Sequence, residues 1–180
     1  MAPRASTLIE ERKMEYVRGL YDFRDKDSAY GQLARDLTAL LGGESDLIAN
    51  AANAAALIFD ALPDINWAGF YFSRGGELVV GPFQGKPACV RIAIGRGVCG
   101  TAAAQRKPIV VPDVHAFPGH IACDAASRSE IVIPLMAGEQ LIGVLDLDSP
   151  SLDRFDEADL RGLTRLVEIF CSHTHLDRSG

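Results

Sequence analysis

Four cysteines and three acids carry the chemistry this sequence can offer. Cys123 stands in "HIACDAASRSE", residues 120–130, where Ile121 is the only large apolar residue within three positions. A loop thiol beside His120 or Arg128 is set for partial exposure and a favoured thiolate, the form that attacks and ligates. Cys99 lies in "GVCG", where a glycine-rich segment becomes a helix. The helix dipole and free N–H groups there lower a thiol's pKa, although the same small residues also suit tight packing. Cys89 follows "GKPA" at the mouth of a strand. Cys171, in "EIFCSHTH", borders a helical apolar stripe and reads as a core filler.

The acids are more telling. In "GVLDLDSP", Asp146 and Asp148 are two apart on a strand and so share a face, while Leu145 and Leu147 take the other and enter the core. Glu130 opens the preceding strand. A hairpin turning at Gly138 and Glu139 sets Glu130 roughly opposite residues 146 to 148. Like charges that close resist joint ionisation, so one acid stays protonated unless a cation neutralises the group. Such a cluster suits a ligand bearing an ammonium group and holds an acid able to give up a proton. Trp67 and Tyr71, four apart on a strand, share a face and offer an aromatic wall, either for the core or for a pocket.

The elements that position these residues follow from spacing. Residues 1–26 are mixed and charged and read as an N-terminal extension, with a single catalytic domain over 27–175. Leu33, Leu37, Leu40 and Leu41 recur at helical spacing until Gly42-Gly43. Ser45 is placed to cap a second helix with Leu47, Ile48, Ala51, Ala55, Ile58 and Leu62 on one face. Strands are expected in "NWAGFYFS", "ELVVGPF", "CVRIAI", "PIVV", "EIVIPLMA" and "QLIGVLDLDS", with a hairpin turn at Arg74-Gly75-Gly76. "GVCGTAAAQRK" has helix length, and a last helix runs on from Asp156. Residues 112–128 form a loop too long for a mere connector. Helices, then strands, then a closing helix mean α+β, a mostly antiparallel sheet with helices packed on it.

Composition excludes several classes. The chain has 180 residues, 48% hydrophobic and 23% charged, as an ordinary globular domain does. A net charge of −6 argues against nucleic acid and anionic membranes as partners. No apolar run reaches the roughly 18 residues that span a bilayer, and the N-terminus lacks a secretory h-region. A cytoplasmic setting follows as the default, where structural disulfides are rare. No cysteine and histidine spacing fits a zinc finger, and the G-x-G-x-x-G from Gly95 to Gly100 lacks a ribose-binding acid and a βαβ context. No metal and no cofactor are therefore expected.

The stretch "GPFQGKPACVRIAIGRGVCGTAAAQRKPIVVPDVHAFPGHIACDAASRSEIVIPL", followed by "GVLDLDSP", closely resembles the free methionine-(R)-sulfoxide reductase family, which is built on a GAF-type domain. The similarity runs from about Ala29 to Phe170. Cys89, Cys99 and Cys123 match the family's three cysteines, Glu130, Asp146 and Asp148 its acids, and Trp67 and Tyr71 its pocket aromatics. The resemblance implies a GAF-like antiparallel sheet of about six strands with helices on both faces, usually in a homodimer. It implies reduction of free, not protein-bound, methionine-(R)-sulfoxide, with thioredoxin as the usual reductant. It implies Cys123 as the attacking thiol and Cys89 as the resolving one, with Cys99 remaining a candidate. Glu130 and Asp148 are expected in proton transfer, and all three acids with Trp67 and Tyr71 in substrate binding. The competing expectation is a GAF module that senses a small molecule or redox state without turnover. Such sensors usually carry an output domain, for which this chain has no room.

Overall fold

A computed structural model of the chain describes residues 21–119 and 124–176. Helices α1 (Lys26–Leu41) and α2 (Leu47–Ala61) lead into a six-stranded sheet. Strands β1 (Trp67–Arg74), β2 (Glu77–Gly85) and β3 (Arg91–Ala93) precede helix α3 (Gly97–Gln105). Strand β4 (Ile109–Val111), a 3-10 turn at Val114–Ala116, β5 (Ser129–Ala137), β6 (Gln140–Ser149) and helix α4 (Glu157–His173) complete the chain. The strand order is β3-β2-β1-β6-β5-β4, and every neighbouring pair is antiparallel. The fold is α+β.

Aspartates start three of the helices. Asp25, Asp46 and Asp156 each accept hydrogen bonds from backbone N–H groups of the first turn, groups that have no partner within the helix. Asp46, not Ser45, caps α2. The two neighbours have equal capping chemistry, and the register of the apolar face chooses between them. Helix α1 begins at Lys26, and Tyr21 and Phe23 ahead of it pack against the core. In "CVRIAI" only Arg91–Ala93 pairs as a strand.

Strand alternation sorts side chains onto two faces. Ala68, Phe70 and Phe72 of β1, Ile131, Ile133 and Leu135 of β5, and Leu145 and Leu147 of β6 face α1, α2 and α4. Phe70 stacks on Phe170 of α4 with centroids 4.8 Å apart. This larger core occupies one face of the sheet and leaves the other to build a site. That second face meets α3 through Val132, Val144, Val98, Ala102 and Ala103, so helices cover both faces. Below the larger core, α1 is tied to α4 by the fully buried Asp159, which accepts from Tyr30 Oη (2.8 Å), Lys26 Nζ (2.6 Å) and Arg154 Nη1 (3.1 Å). Burying a carboxyl group is costly unless it is paired and hydrogen-bonded in this way.

Candidate active site

Sheet register brings the predicted acids together. Asp148 is the cross-strand partner of Trp67 on one side and Glu130 on the other, so the three form one row across β1, β6 and β5. Asp146 is next along the same face of β6, between Gly69 and Val132. Helix α3 lies over this row, and the Cys99 thiol donates to Glu130 Oε1 at 3.8 Å. Gly100 lets α3 lie close to the end of β3, since a Cβ there would strike the backbone carbonyl of Ala93. Trp67, Tyr71, Cys99, Glu130, Asp146 and Asp148 line one pocket of about 550 Å³ including its open mouth.

The aromatic wall is built with equal care. The Trp67 ring stacks between Tyr71 (centroids 5.8 Å apart) and Phe83 (5.2 Å), and its Nε1 donates to the Lys86 carbonyl at 3.1 Å. Gly69 makes room: a Cβ there would lie 2.7 Å from Trp67 Cη2 and would overlap Phe83. The ring is therefore held flat against the sheet, with its polar edge satisfied, as a buried tryptophan requires.

Burial governs the electrostatics. Glu130 and Asp146 are buried, and Asp148 keeps some surface at the pocket mouth. Desolvation, then the neighbouring charges of Asp146 and Asp148, push Glu130 well above the ordinary carboxyl range. Desolvation and the charge of Asp146 do the same to Asp148. Asp146 is pushed up to about 7 by burial, against hydrogen bonds from Cys99 and Glu130 that lower it. The pocket thus holds protons at neutral pH. Tyr71 is raised by burial and by the charge of Asp146, so its hydroxyl stays a donor. The expectation for Cys99 is reversed. Burial and the acids beneath it raise its thiol well above the usual value, overriding the N-terminal dipole of α3.

The other cysteines separate by position. Cys89 is half-buried on the β2–β3 connection, next to Ala88 of the pocket wall, and is disulfide-bonded. Cys99 and Cys171 are free thiols. Cys171 is in α4, part of the larger core's margin, and burial raises its pKa to about 11. Cys123 and His120 lie outside the described residues.

A GAF domain family model matches residues 44–170. A Bacillus subtilis relative, Protein YtsP, is 57% identical over 146 residues, covering 80% of this chain and 90% of that protein. The free methionine-R-sulfoxide reductase of Escherichia coli is 55% identical over 143 residues, covering 79% of this chain and 87% of that enzyme. The X-ray structure of free methionine-R-sulfoxide reductase from Neisseria meningitidis in complex with its substrate superposes with a TM-score of 0.82 at 43% identity, covering 87% of this chain and 95% of that one. The chain belongs to the free methionine-R-sulfoxide reductase family of GAF-domain enzymes.

Several residues of this reductase-family pocket escape a reading of the sequence. Asn66 Nδ2 donates to Asp124 Oδ2 (3.2 Å) and Ser127 Oγ (3.1 Å), and Lys86 Nζ reaches Asp124 at 3.2 Å. Ser127 in turn hydrogen-bonds the Asp148 carboxyl. Lys86, Asp124, Ser127 and Arg96 all line the pocket. The one local signal was turn chemistry in "DAAS", where Asp124 accepts from Ala126 N at 2.9 Å. Nothing local to Asn66 or Lys86 announces a partner 58 or 38 residues away.

Proposed function

We propose that this protein reduces free L-methionine-(R)-sulfoxide to methionine through a cysteine redox cycle. One observation carries the reading: three adjacent carboxyls and a stacked tryptophan share a pocket, as the chemistry of a charged amino acid with a polar sulfoxide and an apolar methyl group requires. Trp67 and Tyr71 receive the apolar end, and the acids receive the ammonium group. A peptide lacks that cation, because its nitrogen is an amide, and the site therefore selects the free amino acid.

The cycle balances as follows. The Cys123 sulfur attacks the sulfoxide sulfur, and Glu130 or Asp148 protonates the oxygen so that it leaves as water. A water molecule then attacks the Cys123 sulfur and breaks the new S–S bond, so methionine leaves and Cys123 carries the oxygen of a sulfenic acid. The Cys89 thiol then displaces water from that sulfenic acid and a disulfide forms. What supports a disulfide role for Cys89 is that it is disulfide-bonded while Cys99 and Cys171 are free thiols. A dithiol donor, thioredoxin in this reading, restores both thiols by exchange. Thioredoxin, homodimeric assembly, a cytoplasmic setting and a catalytic domain over 27–175 rest on the resemblance and on composition. Among the described residues no helix is long and apolar enough to cross a membrane.

The test is NADPH consumption in a thioredoxin-coupled assay with free methionine-(R)-sulfoxide as the only variable. Cys123→Ser is expected to abolish reduction even in a single turnover. Cys89→Ser is expected to release about one equivalent of methionine and stall. Saturable binding without NADPH consumption would make the protein a sensor instead.

A further inference from the structure

The base of the pocket also has the geometry of a metal site. Single ligand atoms from Cys99, Glu130 and Asp146 all lie within 4.8 Å of one another, and all three residues are buried. They come from α3, β5 and β6, so no short sequence spacing reveals them. Independently, Asp146 Oδ1 is buried with no hydrogen-bond partner, in a residue only 6% exposed. A buried carboxylate oxygen without a partner is costly, and a cation bound beside it would satisfy it.

We propose that Cys99, Glu130 and Asp146 form a binding site for one zinc-type transition-metal dication at the base of the pocket. The donor set is one thiolate and two carboxylates with a fourth position open to the cavity, a pattern that suits tetrahedral Zn²⁺. Bond lengths of about 2.3 Å to sulfur and about 2.0 Å to oxygen at a tetrahedral angle separate the two donors by about 3.5 Å. Cys99 Sγ and Glu130 Oε1 stand 3.8 Å apart, so a small side-chain adjustment closes the site. The thiol favours zinc-type ions over Mg²⁺ or Ca²⁺, which prefer oxygen alone. The dication also relieves the repulsion that keeps these groups protonated. On binding, the Cys99 thiol proton and the proton held between the two carboxyls pass to solvent, and no electron moves. The ion then occupies groups that a pocket ligand would use, so metal and ligand exclude each other. The site stands on geometry alone and does not depend on the reductase reading.

The experiment titrates Co²⁺, the optical stand-in for Zn²⁺, into the full chain prepared without reductant, so that Cys89 remains disulfide-bonded. One equivalent is expected to bind with a thiolate-to-cobalt charge-transfer band that Zn²⁺ abolishes by displacement and equimolar Mg²⁺ does not. Cys171→Ala is expected to keep the band. Cys99→Ala is expected to lose it. Asp146→Asn is expected to weaken binding at least about tenfold, since even outer-shell changes cost that much. Circular dichroism checks each fold, and if Cys99→Ala is unfolded, Asp146→Asn decides. No band in the unaltered protein, a band persisting in folded Cys99→Ala, displacement by Mg²⁺, or unchanged affinity in Asp146→Asn overturns the proposal.

Discussion

Asn66 reaches Asp124 across the mouth of the pocket, its Nδ2 donating to Oδ2 at 3.2 Å. Asp124 also pairs with Lys86 Nζ, at 3.2 Å. Asp124 follows Cys123 directly in the chain, and Lys86 precedes Cys89 by three residues. The contact therefore ties together the two segments that bear the proposed redox pair. It has little bearing on the attack on substrate and much on the meeting of two sulfurs, whose Cα atoms must come within about 7 Å. Asp124→Ala removes an exposed ion pair and a hydrogen bond that link these segments. Single-turnover methionine release is expected to hold within about threefold, while disulfide formation slows by roughly tenfold. Rapid-quench methionine release and mass-resolved disulfide formation separate the two steps, and equal loss in both would contradict this division.

How far the site was legible depended on whether its geometry was local. The pair of β5 and β6 turns at Gly138 and Glu139, so counting outward sets Glu130 roughly opposite residues 146 to 148; the partner is Asp148, because an irregularity between Leu135 and Met136 shifts the register by one residue. Alternation in "GVLDLDSP" divides Leu145 and Leu147 from Asp146 and Asp148, because a strand has a period of two. The Cys99 environment was misread for a physical reason. The helix terminus that lowers a thiol's pKa is visible in "GVCG", but the acids that raise it arrive from β5 and β6, more than thirty residues later. Asn66 and Lys86 were missed on the same ground, since their partner comes from the loop after β4.

Gly69 is expected to control the aromatic wall. An added Cβ overlaps Phe83 and lies 2.7 Å from Trp67 Cη2, so Gly69→Ala forces the ring out of its stack or parts β1 from β2. Overpacking of this kind costs about 1–3 kcal/mol. Trp67 is the chain's only tryptophan, so its emission reports its own environment. A red-shifted emission and a KM raised more than kcat is lowered are expected. Unchanged emission with unchanged KM would contradict the assignment of Trp67 as a pocket wall.

Asp146 is expected to cost stability at neutral pH. The folded protein holds its proton up to about pH 7, whereas an unperturbed aspartate releases it near 3.8. Between those values the native state binds more protons than the unfolded chain, so stability falls as pH rises through the window. Asp146→Asn keeps the shape and has no proton to lose. It is expected to be more stable than the unaltered protein above pH 7, by at most a few kcal/mol. The gain shrinks as pH falls toward 4. At this chain length each kcal/mol moves Tm by about 2–4 °C. Calorimetry of both proteins at pH 5 and pH 8 decides the matter, and an equal Tm difference at the two pH values would count against it.

Substrate choice gives the sharpest test of the acid cluster. Glu130 and Asp148 face each other across β5 and β6, with Asp146 beside them, so the cluster can hold an ammonium group and protonate a sulfoxide oxygen at once. The two jobs differ kinetically. Loss of an ammonium anchor leaves the proton donor in place, so KM rises more than kcat falls. Loss of the proton donor cuts kcat by about 10²–10⁴-fold, the usual size of general-acid catalysis. The partnerless oxygen of Asp146 fits the anchor, and Asp146→Asn is expected to act mainly on KM. Glu130→Gln and Asp148→Asn are expected to act on kcat, because raised pKa values keep both carboxyls protonated until a base is formed. N-acetylation of the substrate removes the cation altogether. It forfeits at least one charged hydrogen bond, about 1.5–3 kcal/mol, and kcat/KM is expected to fall by roughly ten- to over a hundredfold. The same comparison on Asp146→Asn should shrink the penalty, since an amide anchor no longer distinguishes ammonium from acetamide so strongly. Equal kcat/KM for free and N-acetylated (R)-sulfoxides on the unaltered protein would remove the acids from substrate selection and favour a protein-repair role.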